Sequence, residues 1–213
     1  MPRDPLIDRS QAARLAFFEQ ERDLFHDLVT HGQSPEALLI ACSDSRIVGA
    51  GLLGTLPGEV FVVRTVGAVV PPYGIGQRSV GAALEFALDK LRVRHVIVCG
   101  HTDCGAIEAL DATVDMQKTP NLALWLENLR PAKTSVDAHQ TFADPYARQL
   151  AILQQSVLLQ MRNLETYPVV QHALKNQTVS LHGWVYSLES GRLSYYDSDA
   201  GRFVVEDAQD RQP

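Results

Sequence analysis

The sequence predicts one α/β domain with a mainly parallel β-sheet and helices on both of its faces. Apolar runs of strand length alternate with segments of helical periodicity, and parallel strands joined by helical crossovers produce this alternation. The chain closes with a strand, a turn and a returning strand, which adds an antiparallel C-terminal edge strand. At 213 residues the chain can bury one sizeable core but is short for two, so residues 1–213 are predicted to form a single domain.

The predicted strands are short apolar runs bounded by turn residues. The turn Leu56-Pro57-Gly58 opens the second of them, and Gly100 closes the third. The fourth alternates apolar with other residues, the pattern of a half-buried strand, and the turn Glu189-Ser190-Gly191 leads from it into the returning strand. In chain order, the predicted strands span Ala37–Cys42, Glu59–Arg64, His95–Cys99, Thr178–Tyr186 and Leu193–Tyr196.

Three segments carry the apolar periodicity of helices. Residues Asp8–Thr30 are predicted to form one extended amphipathic helix. A second helix begins at Ser79 and feeds the third strand. Asp144 and Pro145 supply the N-cap and the first-turn proline of a further helix, which is predicted to end at Pro168.

Charge and composition exclude several classes of partner. Nineteen Lys and Arg residues against 25 Asp and Glu residues give a formal net charge of −6, which disfavours nucleic acid and anionic membrane surfaces. No apolar run reaches the roughly 18 residues of a membrane span, and the first residues lack the apolar segment of a secretory signal. Three cysteines are too few for a disulfide framework, so we expect a cytoplasmic protein whose cysteines are metal ligands, catalytic thiols or core residues.

The glycine pattern at 49–54, GAGLLG, matches the dinucleotide-binding fingerprint but lies in the wrong place. Residues 43–48 separate it from the first strand, whereas a phosphate-binding turn follows its strand directly. The next strand ends in Arg64-Thr65, without a carboxylate for a ribose hydroxyl. We therefore interpret this pattern as a close-packed connection.

Metal-binding side chains follow the first and third predicted strands. Cys42 ends the first strand, and His101 and Cys104 come directly after the third. If these strands are neighbours, their carboxyl ends share a crevice, where open α/β sheets hold ligands. Two thiolates and one imidazole suit Zn²⁺ and leave a fourth position open, as in catalytic zinc sites. The spacing alone favours zinc no more than buried, inert cysteines, and the polar segment CSDSR at 42–46 favours the metal site.

Asp44 and Arg46, two residues apart, are predicted to form an oriented ion pair beside this metal. Arg46 would keep Asp44 ionised and turned away from the metal, and Asp44 would accept a hydrogen bond from metal-bound water. Cys99 lies within an apolar run and is predicted to be a core residue. The remaining histidines lack a clustered context, so surface or core roles are predicted for His26, His31, His95, His139, His172 and His182.

These motifs resemble those of the β-class carbonic anhydrases. The resemblance rests on CSDSR at 42–46 and HTDCG at 101–105, and it extends from Gln33 to the HGW segment at 182–184. The implied fold is a parallel sheet with an antiparallel edge. The implied arm, residues 1–32, embraces a neighbouring subunit, in front of a zinc-binding core at 33–213. The minimal unit is then a homodimer, or a multiple of it, with pockets at the subunit boundary.

The resemblance also implies the site residues. It implies one Zn²⁺ per chain, held by Cys42, His101 and Cys104, with Asp44 and Arg46 as the catalytic dyad. The family's pocket glutamine and phenylalanine fall on Gln33 and Phe61, its bicarbonate-binding N–H falls on Gly105, and we expect Val66 and Phe86 to lie against CO₂ as well.

The implied activity is the reversible hydration of CO₂ to bicarbonate and a proton, by attack of zinc-bound hydroxide. Two other functions stay open. A hydrolase of CS₂ or COS would use the same zinc site, although the Asp44–Arg46 pair and Gln33 favour the oxygen substrate. A non-enzymatic zinc-binding or redox-sensing protein is the other alternative, and an open fourth position argues against it.

The sequence departs from the family pattern at three positions. Thr65 stands where an asparagine is usual, which is expected to alter the hydrogen bonds of the loop without touching the metal. Phe86 stands where a pocket tyrosine is common, so the pocket loses a hydroxyl group. Leu39 stands where pH-controlled members have the tryptophan of a separate bicarbonate site, so that site should be incomplete although its arginine, Arg64, is present.

Overall fold

The computed structural model describes residues 4–75 and 78–206. Its strands are β1 (Ala37–Cys42), β2 (Val60–Thr65), β3 (His95–His101), β4 (Ser180–Tyr186), β5 (Leu193–Asp197) and β6 (Arg202–Val205). Its helices are α1 (Pro5–Gln20), α2 (Arg22–His31), α3 (Gly49–Leu53), α4 (Arg78–Glu85), α5 (Gly105–Glu108), α6 (Pro120–Leu126), α7 (Arg130–His139), α8 (Pro145–Leu164) and α9 (Pro168–Lys175).

The strands form one sheet of six in the order β2-β1-β3-β4-β5-β6. The first four in this order are parallel, and β5 and β6 continue the sheet antiparallel. The predicted α/β class and mainly parallel sheet are confirmed. The predicted edge strand at Leu193–Tyr196 is not the edge, because β6 follows it after a turn in which Asp197 accepts hydrogen bonds from two backbone N–H groups. A run as short as β6 gives little periodic signal.

The core lies on both faces of the sheet, and β1 is buried along its whole length. Leu38 and Ile40 belong to the larger cluster, to which α4, α7, α8 and α9 contribute side chains. Leu39 belongs to a smaller cluster on the other face, which receives Leu52 and Leu53 of α3. Within the glycine pattern at 49–54 it is the leucines that pack. A Cβ atom at Gly54 would meet nothing within 4 Å and one at Gly51 only Val48 Cβ at 4.0 Å, so these two glycines are not closely packed, contrary to the prediction. Most of the helical cover lies on one face.

Helix α8 packs on β3 and β4, near the end of β3 at which the metal-binding motif begins. Gly100 makes this close approach possible. A Cβ atom at this position would lie 2.7 Å from Leu153 Cδ1 and 3.0 Å from Val157 Cγ2, and both of these side chains belong to α8. Gly100, the last residue of β3 before the motif begins at His101, therefore permits the close packing of α8 on the sheet.

The two ends of α8 differ in how well the sequence predicts them. Asp144 caps the helix as predicted, accepting hydrogen bonds from two backbone N–H groups of its first turn. The helix ends at Leu164, and Pro168 begins α9 instead of ending α8. Proline cannot continue a helix, but at the first position of a helix it loses no hydrogen bond. The sequence alone therefore does not distinguish a proline that ends one helix from a proline that begins the next. Among the described residues, no helix is long and apolar enough to cross a membrane.

The N-terminal arm consists of two helices, not the single helix predicted over Asp8–Thr30. Asp4 starts α1 earlier, because its side chain accepts a hydrogen bond from the Leu6 N–H at 2.9 Å. Glu21, with φ −108° and ψ 22°, separates α1 from α2. No residue of either helix is buried in the single chain. The arm thus presents apolar side chains, among them Val29 at 86% exposure, to its surroundings.

We expect the chain to form a dimer or a multiple of dimers, since this apolar surface needs a partner to cover it. Val29→Asp would place a charge on the surface, and sedimentation velocity should then show a shift towards the monomer. Thr30→Asp, one position along the helix and on another side of it, is the matched control and should leave the assembly intact. A stable wild-type monomer at micromolar concentration would contradict the prediction.

Candidate metal centre

The predicted metal ligands meet at the carboxyl ends of β1 and β3. The parallel register pairs Ala41 with Cys99, so Cys42 lies beside the end of β3, where His101 is the last residue. Cys104 follows after a short loop and precedes the first turn of α5. The Sγ atoms of Cys42 and Cys104 are 4.0 Å apart. The ligand atoms of Cys42, His101 and Cys104 all lie within 4.8 Å of one another.

His101 is prepared as a ligand by the hydrogen bond of its other ring nitrogen. Its Nδ1 lies 2.8 Å from the carbonyl oxygen of Thr102. Because a carbonyl oxygen only accepts, Nδ1 carries a proton, and in the neutral imidazole the lone pair is then on Nε2. Nε2 is buried and has no hydrogen-bond partner among the described residues. A buried polar atom without a partner is costly, and a metal ion would satisfy it.

The two sulfur atoms also fit a zinc ion. Tetrahedral Zn²⁺ with Zn–S distances of about 2.3 Å separates two sulfur ligands by about 3.8 Å, and the observed separation of Cys42 and Cys104 is 4.0 Å. Two sulfurs and one imidazole nitrogen are borderline-soft ligands, which zinc prefers over the oxygen ligands of Mg²⁺ and Ca²⁺. These residues would therefore hold zinc and leave one position of a tetrahedron open.

The surroundings of Cys42 favour its thiolate. The Cys104 thiol lowers the pKa of Cys42 most, and His101 and two backbone N–H groups add to this effect against the opposing effect of burial. These N–H groups belong to Asp44 and Gly67, and each nitrogen lies 3.4 Å from Cys42 Sγ. The same contact with Cys42, together with burial, raises the pKa of Cys104. A divalent cation between the two sulfurs would remove the repulsion that prevents both from ionising.

Asp44 and Arg46 form the predicted ion pair. Arg46 donates from Nε to Asp44 Oδ1 at 3.0 Å and from Nη2 to Oδ2 at 2.8 Å, and its backbone N–H donates to Oδ1 at 2.9 Å. These hydrogen bonds hold the pKa of Asp44 well below its usual range. Asp44 Oδ2 is 3.9 Å from His101 Nε2. The pair therefore places an ionised carboxylate beside the three ligand atoms and fixes its orientation.

Arg64 supports this segment in a way that the sequence did not predict. Its guanidinium group donates to the carbonyl oxygens of Cys42 and Asp44, and so holds the backbone that follows β1. The only signal for this role in the sequence is its place at the end of β2, which the register sets beside Ala41. Thr65 next to it donates from its hydroxyl to the Val69 carbonyl at 3.0 Å, so this departure from the family pattern acts on the loop.

Cys99 lies apart from the ligand group, as predicted. It is buried in the smaller cluster on the other face of the sheet, and its thiol contacts the carbonyl oxygen of Gly100 at 3.5 Å. Burial raises the pKa of Cys99 to about 12. This cysteine is therefore a neutral core residue.

His95 and His182 differ from the prediction that the remaining histidines lack a clustered context. Their ring nitrogens Nδ1 and Nε2 are 3.0 Å apart, at the end of the sheet opposite to the metal ligands. Burial, and then the charge of His95, lower the pKa of His182. The contact arises from the pairing of β3 with β4, which periodicity along one strand does not reveal.

The predicted pocket residues fall into two groups. Gly105 follows Cys104, and Val66 follows β2 at its metal end. Phe61 pairs with Leu38, four residues before the pairing of Thr65 with Cys42, so it lies about 13 Å from that end of the sheet at 3.3 Å per residue. Phe86 packs on Phe61 with 5.8 Å between the ring centroids, and Gln33 precedes β1 at the same far end. A single chain does not bring Gln33, Phe61 and Phe86 to the metal ligands.

The comparisons with known proteins agree with this geometry. A family model described as carbonic anhydrase matches residues 37–193. A carbonic anhydrase of Pseudomonas aeruginosa is 42% identical over 181 residues, covering 85% of this chain and 81% of the relative. The solved structure of the β-carbonic anhydrase CcaA superposes with a TM-score of 0.87 at 35% identity, covering 94% of this chain and 98% of that one. The chain belongs to the β-carbonic anhydrase family.

Further relatives support the same assignment. A carbonic anhydrase of Synechocystis is 37% identical over 202 residues, covering 94% of this chain and 73% of the relative. A structure from a study of two tetrameric β-carbonic anhydrases of Sordaria macrospora superposes with a TM-score of 0.77 at 28% identity, covering 89% of this chain and 94% of that one. β-Carbonic anhydrases use zinc, and within the described part of the chain Cys42, His101 and Cys104 form a group that could hold it.

We expect about one zinc per chain, as a single three-ligand site holds. Cys42→Ser and Cys104→Ser should each strip the metal, because a serine hydroxyl is a far poorer zinc ligand than a thiolate. Cys99→Ser is the matched control and should keep the zinc content of the wild type. Elemental analysis of the purified variants measures this directly. Loss of zinc in Cys99→Ser with retention in Cys104→Ser would show that the ligand assignment is wrong.

Proposed function

We propose that this chain catalyses the reversible hydration of CO₂ to bicarbonate and a proton at the group formed by Cys42, His101 and Cys104. The observation that carries the proposal is the position of Asp44. Its carboxylate, paired with Arg46, lies 3.9 Å from the buried Nε2 of His101, which has no hydrogen-bond partner among the described residues. Zn²⁺ bound there would act as a Lewis acid and lower the pKa of a water molecule in its fourth position towards about 7.

Asp44 would orient the attacking water. An ionised carboxylate only accepts hydrogen bonds, so Asp44 would accept one from an O–H of that water and direct the oxygen towards CO₂. Arg46 occupies both carboxylate oxygens, which stops Asp44 from turning to the metal as a ligand. Arg46 also donates to the Asp103 carbonyl at 2.8 Å, so the dyad is fixed to the loop that carries Cys104.

Gly105 and Val66 would form the part of the pocket that this chain supplies near the metal. A Cβ atom at Gly105 would meet nothing within 4 Å, so there is open space beside its backbone for a small ligand. We infer that its N–H donates to the negative charge that develops on the CO₂ oxygens. Val66, at 42% exposure, supplies an apolar surface beside that space.

The rest of the pocket would come from a second copy of the chain. Gln33 is exposed, Phe86 is 47% exposed, and both lie at the end of the sheet far from the metal ligands of their own chain. In a two-fold dimer the same residues of one chain can face the metal group of the other. We therefore infer that Gln33, Phe61 and Phe86 complete the pocket of the partner subunit.

Stopped-flow CO₂ hydration by protein of known zinc content tests the proposal. Asp44→Asn and Arg46→Lys should keep the zinc, since neither residue is a ligand, and should lose about a hundredfold or more in kcat. Glu127→Gln, which removes an exposed ion pair with Arg130, is the control and should be as active as the wild type.

Three outcomes would contradict the proposal or its details. Zinc-loaded wild-type protein that hydrolyses COS or CS₂ but does not hydrate CO₂ would favour the sulfur substrates. Zinc-loaded protein inactive on all three would favour a non-enzymatic role. Full activity in Asp44→Asn would remove Asp44 from the mechanism.

We expect activity at pH 7 that rises with pH through a single ionisation, without sigmoidal inhibition by bicarbonate. A carboxyl group with a lowered pKa loses its charge only when the pH falls towards that lowered value, so Asp44 stays ionised and paired with Arg46 throughout the neutral range. Leu39 is buried and offers no N–H to an anion. Initial rates from pH 6 to 9, with and without bicarbonate, measure this. A steeply cooperative loss of activity below pH 8 would contradict it.

A further inference from the structure

The backbone N–H of Gly67 is one of the two that reach the sulfur of Cys42. Its nitrogen lies 3.4 Å from Cys42 Sγ. Such a hydrogen bond stabilises a thiolate and reduces the charge that the sulfur donates to a bound metal. The N–H of Asp44 belongs to the polar segment that follows β1, whereas Gly67 comes from the turn after β2. The turn after β2 is therefore part of the surroundings of the metal group.

The peptide unit that carries this N–H is also held from its other side. The carbonyl group of Val66 and the N–H of Gly67 belong to the same peptide plane and point in opposite directions. The indole Nε1–H of Trp125 donates to this Val66 carbonyl at 2.8 Å. Trp125 of α6 thus holds the carbonyl end of the peptide whose N–H end contacts Cys42.

The hydrogen bond from Trp125 matters because this turn has an alternative conformation, in which the Val66–Gly67 peptide is rotated. Gly67 has φ 73° and ψ 17°, the conformation of the third residue of a type II turn. In the corresponding type I turn the central peptide is rotated by about 180°, and glycine adopts either form without strain. Rotation would point the N–H away from Cys42. A larger residue would be strained here, because φ is positive and a Cβ atom would lie 3.0 Å from both Ala106 Cβ and Leu129 Cδ1.

The neighbouring anchors do not fix this peptide themselves. The Thr65 hydroxyl donates to the Val69 carbonyl, and the buried Gln160 and Asn163 of α8 bond the N–H and the carbonyl of Val70. These bonds hold the two ends of the turn, and none of them reaches the Val66–Gly67 peptide at its centre. Trp125 is well placed to fix that peptide, since its own carbonyl accepts a hydrogen bond from Asn128 at 2.9 Å.

We propose that Trp125 is a positioning residue for the metal site, which locks the Val66–Gly67 peptide so that its N–H stays on the sulfur of Cys42. The proposal rests on the zinc ligands of the proposed function. It gives Trp125 a role beyond packing. The indole removes the competing orientation of the peptide, and the Cys42 sulfur keeps a constant hydrogen bond and a constant donor strength towards the metal.

Trp125→Phe tests this proposal, because it removes the indole N–H and keeps an aromatic ring. Trp184→Phe is the matched control, since Trp184 lies on the smaller cluster at the other face of the sheet. In the cobalt-substituted protein, Trp125→Phe should move the sulfur-to-metal charge-transfer band to longer wavelength, because a sulfur without its hydrogen bond is a stronger donor. A thiolate without this hydrogen bond is also protonated more readily, and a protonated sulfur no longer holds the metal. Zinc release into a chromophoric chelator should therefore become about tenfold faster, the lower end of the usual cost of losing such a contact. Trp184→Phe should change neither.

A role in packing alone would give a different result. Trp125→Phe would then lower the melting temperature while the cobalt band and the zinc release rate stay at wild-type values, and this would overturn the proposal. A wild-type protein without any sulfur-to-cobalt band would overturn the ligand set of the proposed function and this inference with it. A wild-type protein that shows the band with cobalt but does not hydrate CO₂ with zinc would contradict the proposed function alone. The cobalt band and the zinc release rate of Trp125→Phe would still decide the role of Trp125.

One measurement needs no variant. In wild-type protein loaded with ¹¹³Cd, a hydrogen bond from Gly67 to a metal-bound sulfur transmits a coupling between the metal and the Gly67 amide proton. We expect that coupling in the NMR spectrum. Its absence, with the cadmium bound, would overturn the proposal even if Trp125→Phe fails to fold.

Discussion

The parallel register of β1 and β3 is the constraint on which the rest of the structure depends. Pairing Ala41 with Cys99 sets Cys42 beside the last residues of β3, so that one thiol and one imidazole meet without any loop to position them. A shift of the register by one residue would turn each side chain to the other face. Leu38 and Ile40 would then leave the larger cluster, so the free energy of burying the core also fixes the metal ligands.

The polar segment after β1 is stable because nearly every charge in it has a partner. Asp44 receives three hydrogen bonds from Arg46, and Arg64 takes up the carbonyl groups of Cys42 and Asp44. The thiolate of Cys42 has two backbone N–H groups. The lone pair of His101 Nε2 is the exception among the described ligand atoms, and it faces the place where a cation would bind. The paired groups fix the backbone and side chains of the site, and His101 Nε2 is left as the atom that a cation would bind.

The sequence predicts those parts of the structure whose signals are local. The run Ala37–Cys42 is apolar throughout, which predicts the buried strand that is observed. The polar residues of the motif at 42–46 are likewise visible in the sequence itself. Arg64 and Trp125 act through partners that are distant along the chain, so no pattern around either residue reveals its role. The break at Glu21 and the strand β6 escape prediction for another reason. In each case one or two residues decide the geometry, and periodicity needs a longer window.

The length of a strand explains why the proposed site requires two chains. Phe61 and Thr65 lie on the same strand, and only Thr65 is level with Cys42. A rigid strand cannot fold back, so the aromatic pair of Phe61 and Phe86 stays at the far end of the sheet in its own subunit. The arm formed by α1 and α2 exposes apolar surface that a partner subunit could cover. The same chain holds Phe61 and Phe86 far from its own metal ligands. A two-fold dimer would cover the arm of each chain and bring its aromatic pair to the metal ligands of the other chain, because every contact across a two-fold axis occurs twice. Association and catalysis would then depend on one interface.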